Sequence, residues 1–446
     1  MSKTPLKEAK MLTTASLRTH GRRTVRPVLF LLPLLAGSAL AQGLETRVAM
    51  ITPVQAGMEG ISDGFGCGVF TIDKCNNTVS YYIVFQGLTG VETVSHIHGF
   101  APAGVGAGVV HPLPLGNPKI GVWNYSEAQE ADILAGRTYV NIHSTAAPGG
   151  EIRGQIVSHV ADIDGAQENP AVTTAARGWG VFTIDTLSNT LSYHIEFAGL
   201  SAAETAAHIH GFAAHGTNAG VVHPLPPGSP KIGVWNYPES AERAILDGMT
   251  YVNIHSSAHP GGEIRGQVVP IVAPIDATQE NPSTGVPSAA GCGLFSIDRA
   301  NDQLGYDIRA GGLSAAESAA HIHGFAPRGT NAGVVHPMTV GPRKLGVWSY
   351  PGARENAILR GRTYVNVHTG AHPGGEMRGQ IEFPVTACIA DLDGDGVISL
   401  PDLAILLSNF GLGSGAQYCD GDFDGDGDVD LTDLSVQLSR FGSACP

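Results

Sequence analysis

Apolar and polar residues alternate through many short stretches of this chain. In Tyr139-Val140-Asn141-Ile142-His143 the alternation puts Val140 and Ile142 on one face and Tyr139, Asn141 and His143 on the other. The same period predicts strands over 180–184 and 190–197, joined by a polar turn over 186–189. A single short type of segment, 239–246 and its counterparts, reads as helix, because its Ala, Glu and Leu residues run into a Gly. Strands at short intervals with Gly, Pro and Asn between them predict antiparallel sandwiches or barrels.

The pattern recurs. His-Ile-His-Gly-Phe begins at His96, His208 and His321, so the copies stand 112 and 113 residues apart. Gly-Val-Val-His-Pro, Gly-Val-Trp-x-Tyr, Thr-Tyr-Val-Asn-Ile/Val-His and Pro-Gly-Gly-Glu-Ile/Met-Arg-Gly-Gln follow in order each time. A period near 112 exceeds a solenoid unit and suits a domain with its own core. The chain therefore divides into residues 1–41, three similar domains in a row at 42–158, 159–270 and 271–384, and a tail at 385–446. With Val140 and Ile142 in the core, His143 must face outward, and His96 and His98 likewise lie opposite Ile97. Each module thus carries His, Asn, Glu, Arg and Gln on a rigid outer face.

Composition adds a compartment. Seven basic residues precede an apolar run over 28–35 and the Ala39-Leu40-Ala41 site, which reads as an export signal removed before Gln42. Arg22-Arg23 fits a twin-arginine signal poorly, so the general secretory route is favoured. No run is long enough to span a membrane. Without the signal the balance is 19 basic against 39 acidic residues, which argues against nucleic acid and anionic membranes as partners. Six cysteines in an exported chain predict disulfides, with fifteen possible pairings. Cys67 and Cys292 occupy equivalent places where the second repeat has Trp179, so this position is not a fixed half of a bridge inside each module. A Cys388 to Cys445 clasp would close the tail.

The repeated motifs, Ala-His-Ile-His-Gly, Gly-Val-Val-His-Pro, Tyr-Val-Asn-Ile-His and Pro-Gly-Gly-Glu-Ile-Arg-Gly-Gln, resemble the CHRD (chordin-type) domain over about three quarters of the chain. The resemblance implies a mainly β fold of secreted proteins, some of them growth-factor binders. It implies little about activity.

Two histidines at i and i+2 on a strand can chelate one transition metal. Four per module are candidate copper or zinc ligands: His96, His98, His111 and His143; His208, His210, His223 and His255; His321, His323, His336 and His368. Their order is similar to the copper site of copper/zinc superoxide dismutases, which implies a related sandwich topology; no zinc subsite with its Asp is evident. The competing reading makes these histidines a hydrogen-bonded brace. His259 and His372 lack a counterpart in the first copy, and His20, His159, His194 and His215 read as surface residues. Glu151 and Arg153, with Glu263/Arg265 and Glu376/Arg378, read as ion pairs fixing loops. No nucleophile stands beside a base, and no phosphate loop precedes a helix.

From Cys388 on, Asp391, Asp393, Asp395, Val397 (through its carbonyl), Ser399 and Asp402 make a calcium loop around Gly396, repeated at Asp422, Asp424, Asp426, Asp428, Asp430 and Asp433. Each runs into an apolar helix, expected over 403–410 and 434–441. Asp at position 12 and the missing entering helix resemble the type I dockerin, a small all-α module that docks on cohesin domains. The resemblance implies two structural calcium ions, a cohesin-like or cell-surface partner, and a docking surface at Leu400, Pro401, Leu431 and Thr432. The whole chain reads as a secreted, non-catalytic binding protein whose CHRD modules take an unknown ligand. A copper protein with redox or dismutase-like activity and a purely structural spacer are the other two readings.

Overall fold

Eight strands build the first module: β1 (Leu44–Ile51), β2 (Phe65–Asp73), β3 (Thr78–Gln86), β4 (Glu92–Gly99), β5 (Gly108–Leu113), β6 (Lys119–Asn124), β7 (Thr138–Ser144) and β8 (Ile152–Ile156). The structure is a computed structural model and describes residues 43–384, 389–393 and 395–443; the export signal and the Cys388 to Cys445 clasp lie outside the described residues. The strands pair antiparallel in two sheets, ordered β1-β2-β3-β6 and β5-β4-β7-β8. Phe70, Ile72, Tyr81, Ile83 and Trp123 of one sheet meet Ile97, Val140, Ile142 and Ile152 of the other, which makes the core. The second and third modules repeat the order, and the bridges Arg265↔Asp164 and Arg378↔Asp276 join their two sheets into one near-barrel. The fold is mainly β with few helices, as the alternation requires. Besides α1 (Glu127–Leu134), the modules hold α2 (Glu242–Leu246) and α3 (Glu355–Leu359). The segment read as helix over 239–246 is a 3-10 turn, Glu239–Ala241, followed by α2.

The modules do not stand in a row. Each touches both others, and a second apolar cluster draws Val48, Met50 and Cys67 from the first, Val160 and Trp179 from the second, and Val272, Cys292 and Leu294 from the third. Strands such as Tyr81-Tyr82-Ile83-Val84-Phe85 are apolar on both faces because one face packs in its own sandwich and the other against the neighbours. Cys67 and Cys292 are bonded to each other, closing the seam between modules one and three. Tyr82 donates to Asp276 Oδ2 there at 2.6 Å. Arg343 pairs with Asp164 at 2.6 Å and Arg309 with Asp162 across the second seam. Between modules one and two, a Cβ at Gly136 (φ +70°) would fall 2.6 Å from Thr183 Oγ1, so that approach requires glycine.

Two of the histidines read as surface residues are buried at these seams, and a third is largely covered. His159 is 1 % exposed, with Nε2 3.2 Å from the Ile245 carbonyl, and burial lowers its pKa to about 3. His215 is 5 % exposed against Ser296 Oγ of the third module at 2.9 Å, and burial lowers it to about 4. His194 stacks on Trp179 and pairs with Glu196. The closed packing of the modules, invisible in a single repeat, covers all three.

In the tail, α4 (Leu400–Asn409) and α5 (Leu431–Arg440) start three residues earlier than expected. The carboxylates of Asp402 and Asp433 accept the Ser399 and Asp430 backbone N–H groups and close each first turn. The tail is fastened to module one by a Cys75–Cys419 disulfide and by Lys74 lying 3.7 Å from the Tyr418 ring centroid. A cavity of about 470 Å³ lies between tail and modules, its wall mixing charged Glu45, Arg47 and Lys74 with apolar Leu134, Ile389 and Phe423. Among the described residues no helix is long and apolar enough to cross a membrane.

Candidate metal centres

The pairing of β4 with β7 sets His96 opposite Asn141 and His98 opposite Tyr139, and the strand alternation brings His143 to the same face. Ring centroids are 5.5 Å apart for His96 and His98 and 5.4 Å for His96 and His143. One nitrogen from each lies within 4.8 Å of the others, and the same holds for His208, His210 and His255 and for His321, His323 and His368.

The second nitrogens have fixed partners. His98 Nδ1 donates to the Ala107 carbonyl at 2.9 Å and His143 Nδ1 to the Pro148 carbonyl at 2.8 Å. The copies keep both bonds, from His210 to Ala219, His255 to Pro260, His323 to Ala332 and His368 to Pro373. Tyr139 stacks on His98 at 5.0 Å and lies under the Arg153 guanidinium at 3.5 Å, which holds the imidazole plane. Burial lowers the pKa of His96, His98, His208, His210, His321, His323 and His368.

His111, His223 and His336 do not complete quartets. The β4–β5 register shifts between Ile97 and His98, setting His111 opposite Ile97 on the inner side. There it stacks on Trp123, with Nε2 3.4 Å from Tyr81 Oη; His223 and His336 stand the same way against Trp235 and Trp348. Glu151 and Arg153 do not pair either. Glu151 is fully buried and takes hydroxyls of Ser62 (2.6 Å) and Ser144 and the Thr89 N–H, while Arg153 turns to Tyr139 and the Val105 carbonyl.

Sequence reasoning set the Asn on the histidine face without giving it a role, and gave none to the Glu of Gln-Glu-Asn-Pro, Glu168 and Glu280. A Cβ at Gly262 would fall 2.6 Å from Glu168 Oε1 and overlap Asn253 Oδ1, so Gly262 (φ +126°) admits the pair. Burial raises Glu168 and Glu280 to about 7. Module one has Ala56 at the place of Glu168. The repeat of Gln-Glu-Asn-Pro in two copies only was the available sign.

In the tail, carboxylate oxygens of Asp391, Asp393 and Asp402, and of Asp422, Asp424 and Asp433, converge within 4.8 Å. Asp395 and Asp426 sit beside these trios, accepting the Val397 and Asp428 N–H groups, and Asp430 caps α5 through the Thr432 N–H. Burial, with Asp433 and Asp424 nearby, raises Asp422 to about 6. Leu400 and Leu431 are 70 % and 71 % exposed, and Pro401 and Thr432 are exposed beside them.

Fold and sites together define a protein of repeated, histidine-bearing β-sandwich modules. The CHRD domain family matches at residues 48–156, 160–268 and 271–381, and the chain belongs to that family. It is similar to Chordin of Xenopus laevis, 26 % identical over 226 residues that make up 44 % of this chain and 24 % of that protein. It is also similar to Chordin of Danio rerio, 29 % identical over 167 residues, 31 % of this chain and 17 % of the relative. The chain thus spans a quarter or less of these curated relatives. No solved structure matches it.

Proposed function

We propose that this chain is an exported, non-catalytic binding protein whose three CHRD modules, held in one closed body, are attached to a cohesin-like partner by a calcium-dependent, dockerin-like tail. One observation carries the docking half of this reading. The two loop-helix units expose the same apolar positions 31 residues apart: Leu400 and Leu431, Leu407 and Leu438, Phe410 and Phe441. Exposed apolar side chains repeated in register mark a contact surface rather than scattered surface residues. Tyr418 and Cys419, by contrast, seat the tail on module one, so fastening and docking use different residues. Calcium would neutralise each carboxylate trio and hold its helix in place.

The test is direct. Full-length protein should bind two calcium ions through the tail and capture a type I cohesin domain only with calcium present. Leu400→Asp with Leu431→Asp should abolish capture while leaving both calcium ions bound. Capture that persists in chelator, or survives the double substitution, contradicts the reading. An isolated 387–446 fragment should lose helical circular dichroism in chelator, and an indifferent spectrum counts against calcium.

A further inference from the structure

We infer that each CHRD module binds one late first-row transition-metal ion, Cu2+ or Zn2+, on three imidazole nitrogens, with a fourth coordination position open to an exchangeable ligand. The ligand atoms in module one are His96 Nδ1, His98 Nε2 and His143 Nε2; His208, His210 and His255, then His321, His323 and His368, repeat them.

The tautomers carry the argument. A carbonyl can only accept, so the bonds to Ala107 and Pro148 require the proton on Nδ1 of His98 and His143. That leaves Nε2 of each ring as the nitrogen available to a cation, and both point into the cluster. His98 Nε2, His143 Nε2 and His96 Nδ1 are all buried without a hydrogen-bond partner, as are His210 Nε2 and His323 Nε2. Buried acceptors without donors are costly and rare, and each one requires a reason.

A hydrogen-bonded brace satisfies only part of this arrangement. With its proton on Nδ1, His208 can donate to His255 Nε2 at 3.3 Å, and His321 to His368 at 3.1 Å. His210 and His323 then still face inward with nothing to accept from. In module one all three nitrogens are without partners, and one water, with two hydrogens, cannot serve three acceptors. A cation satisfies all three at once.

The geometry suits that cation. Separations of 3.3 and 3.1 Å are close to the tetrahedral edge of about 3.3 Å implied by metal–nitrogen bonds of about 2.0–2.1 Å. A ligating histidine ordinarily donates its other N–H to a carbonyl or carboxylate, the role Ala107 and Pro148 play here. Three imidazole nitrogens without thiolate or carboxylate select copper or zinc and disfavour calcium and magnesium. With His111 turned to Trp123, no fourth histidine among the described residues closes the site, and half-buried His96 marks its solvent side.

The test loads the full-length protein with Cu2+ or, separately, Zn2+ at saturating calcium, so that the tail loops are filled, and counts bound metal after desalting. Three ions per chain are expected. His98→Ala, His210→Ala and His323→Ala should each remove one, and the triple variant all three. His111→Gln, His223→Gln and His336→Gln together should leave three. If the first triple variant does not fold, His96→Gln with His208→Gln and His321→Gln, on the solvent side, serves in its place. Fewer than one ion per chain in the parent, three retained in the first triple variant, or loss of metal in the His111 set overturns the site. Competition between the two ions decides which is preferred. Co2+ in the sites should give a four-coordinate visible spectrum that azide shifts, and a spectrum unmoved by azide refutes the open position.

Discussion

Acidification from pH 7 to pH 4.5 is expected to open the seams between the modules before the modules themselves melt. His159 and His215 have folded pKa values of about 3 and about 4 because burial excludes the imidazolium, with Arg47 near the first and Arg265 and Arg343 near the second adding to the effect. In the unfolded chain both titrate near 6.5. Below that value the unfolded state binds protons that the folded state refuses, so stability falls with pH until the folded pKa is reached. Each histidine costs about 1.4 kcal/mol per pH unit over this window. At pH 4.5 the two together cost about 5 kcal/mol, within reach of a whole domain's stability. Opposite-signed groups offset part of this cost: Glu130, Glu168 and Glu280, each raised to about 7, relax inside their modules as they protonate, and at the second seam burial raises Asp162 beside Arg309 and raises Asp247 beside Arg299 to about 6. Hydrogen exchange at pH 7 and 4.5 should therefore show early loss of protection around Ser296 and Gly305 while Val140 and Ile142 stay protected. In a His159→Gln/His215→Gln protein the acid step should largely vanish. Seam protection that is independent of pH in the parent would rule this out.

Glu263→Ala is expected to destabilise the second module by about 3–5 kcal/mol, the range for breaking a buried, charge-assisted network. The carboxylate is fully buried and takes the Thr174 hydroxyl and the Ser201 N–H, each at 2.7 Å, along with the Ser256 side chain. These donors outweigh burial and lower its pKa to about 2. The sign follows from the depressed value: the contribution is complete above the unfolded pKa of about 4.3 and disappears as pH falls toward 2. Thermal melts of parent and variant should differ most at neutral pH and converge toward pH 2. A variant within about 0.5 kcal/mol of the parent at pH 7 would return Glu263 to the ordinary surface.

The histidine faces were legible because strand alternation has a fixed period: Ile97, Val140 and Ile142 point to the core, so His96, His98 and His143 cannot. His111 was not legible, since the bulge that turns it to Trp123 belongs to the pairing of two strands and leaves no mark on either alone. The placement of Glu151 depended on Ser62 and Thr89, distant in sequence, and local spacing suggested Arg153 instead. The closed three-module packing left a trace that went unused: Tyr81 to Phe85 and Ile271 to Ile275 are apolar on both faces, more than a half-exposed sheet needs. Once the modules meet, Cys67 finds Cys292, and His159 and His215 become interior residues. Cys75 and Cys419 form a pair that no repeat-based comparison could suggest, because one partner lies outside the repeats.

The shared core, the seam contacts and the acid response of His159 and His215 depend on the modules being one body rather than beads on a chain. Small-angle X-ray scattering of the chain from Gly43 onward, in calcium, tests that most directly. A closed body of about 400 residues should give a radius of gyration of about 22 Å, unchanged by moderate salt. A value above about 30 Å, well outside compact scaling, would mean that the modules are strung out and that the shared core and its buried histidines do not exist in solution.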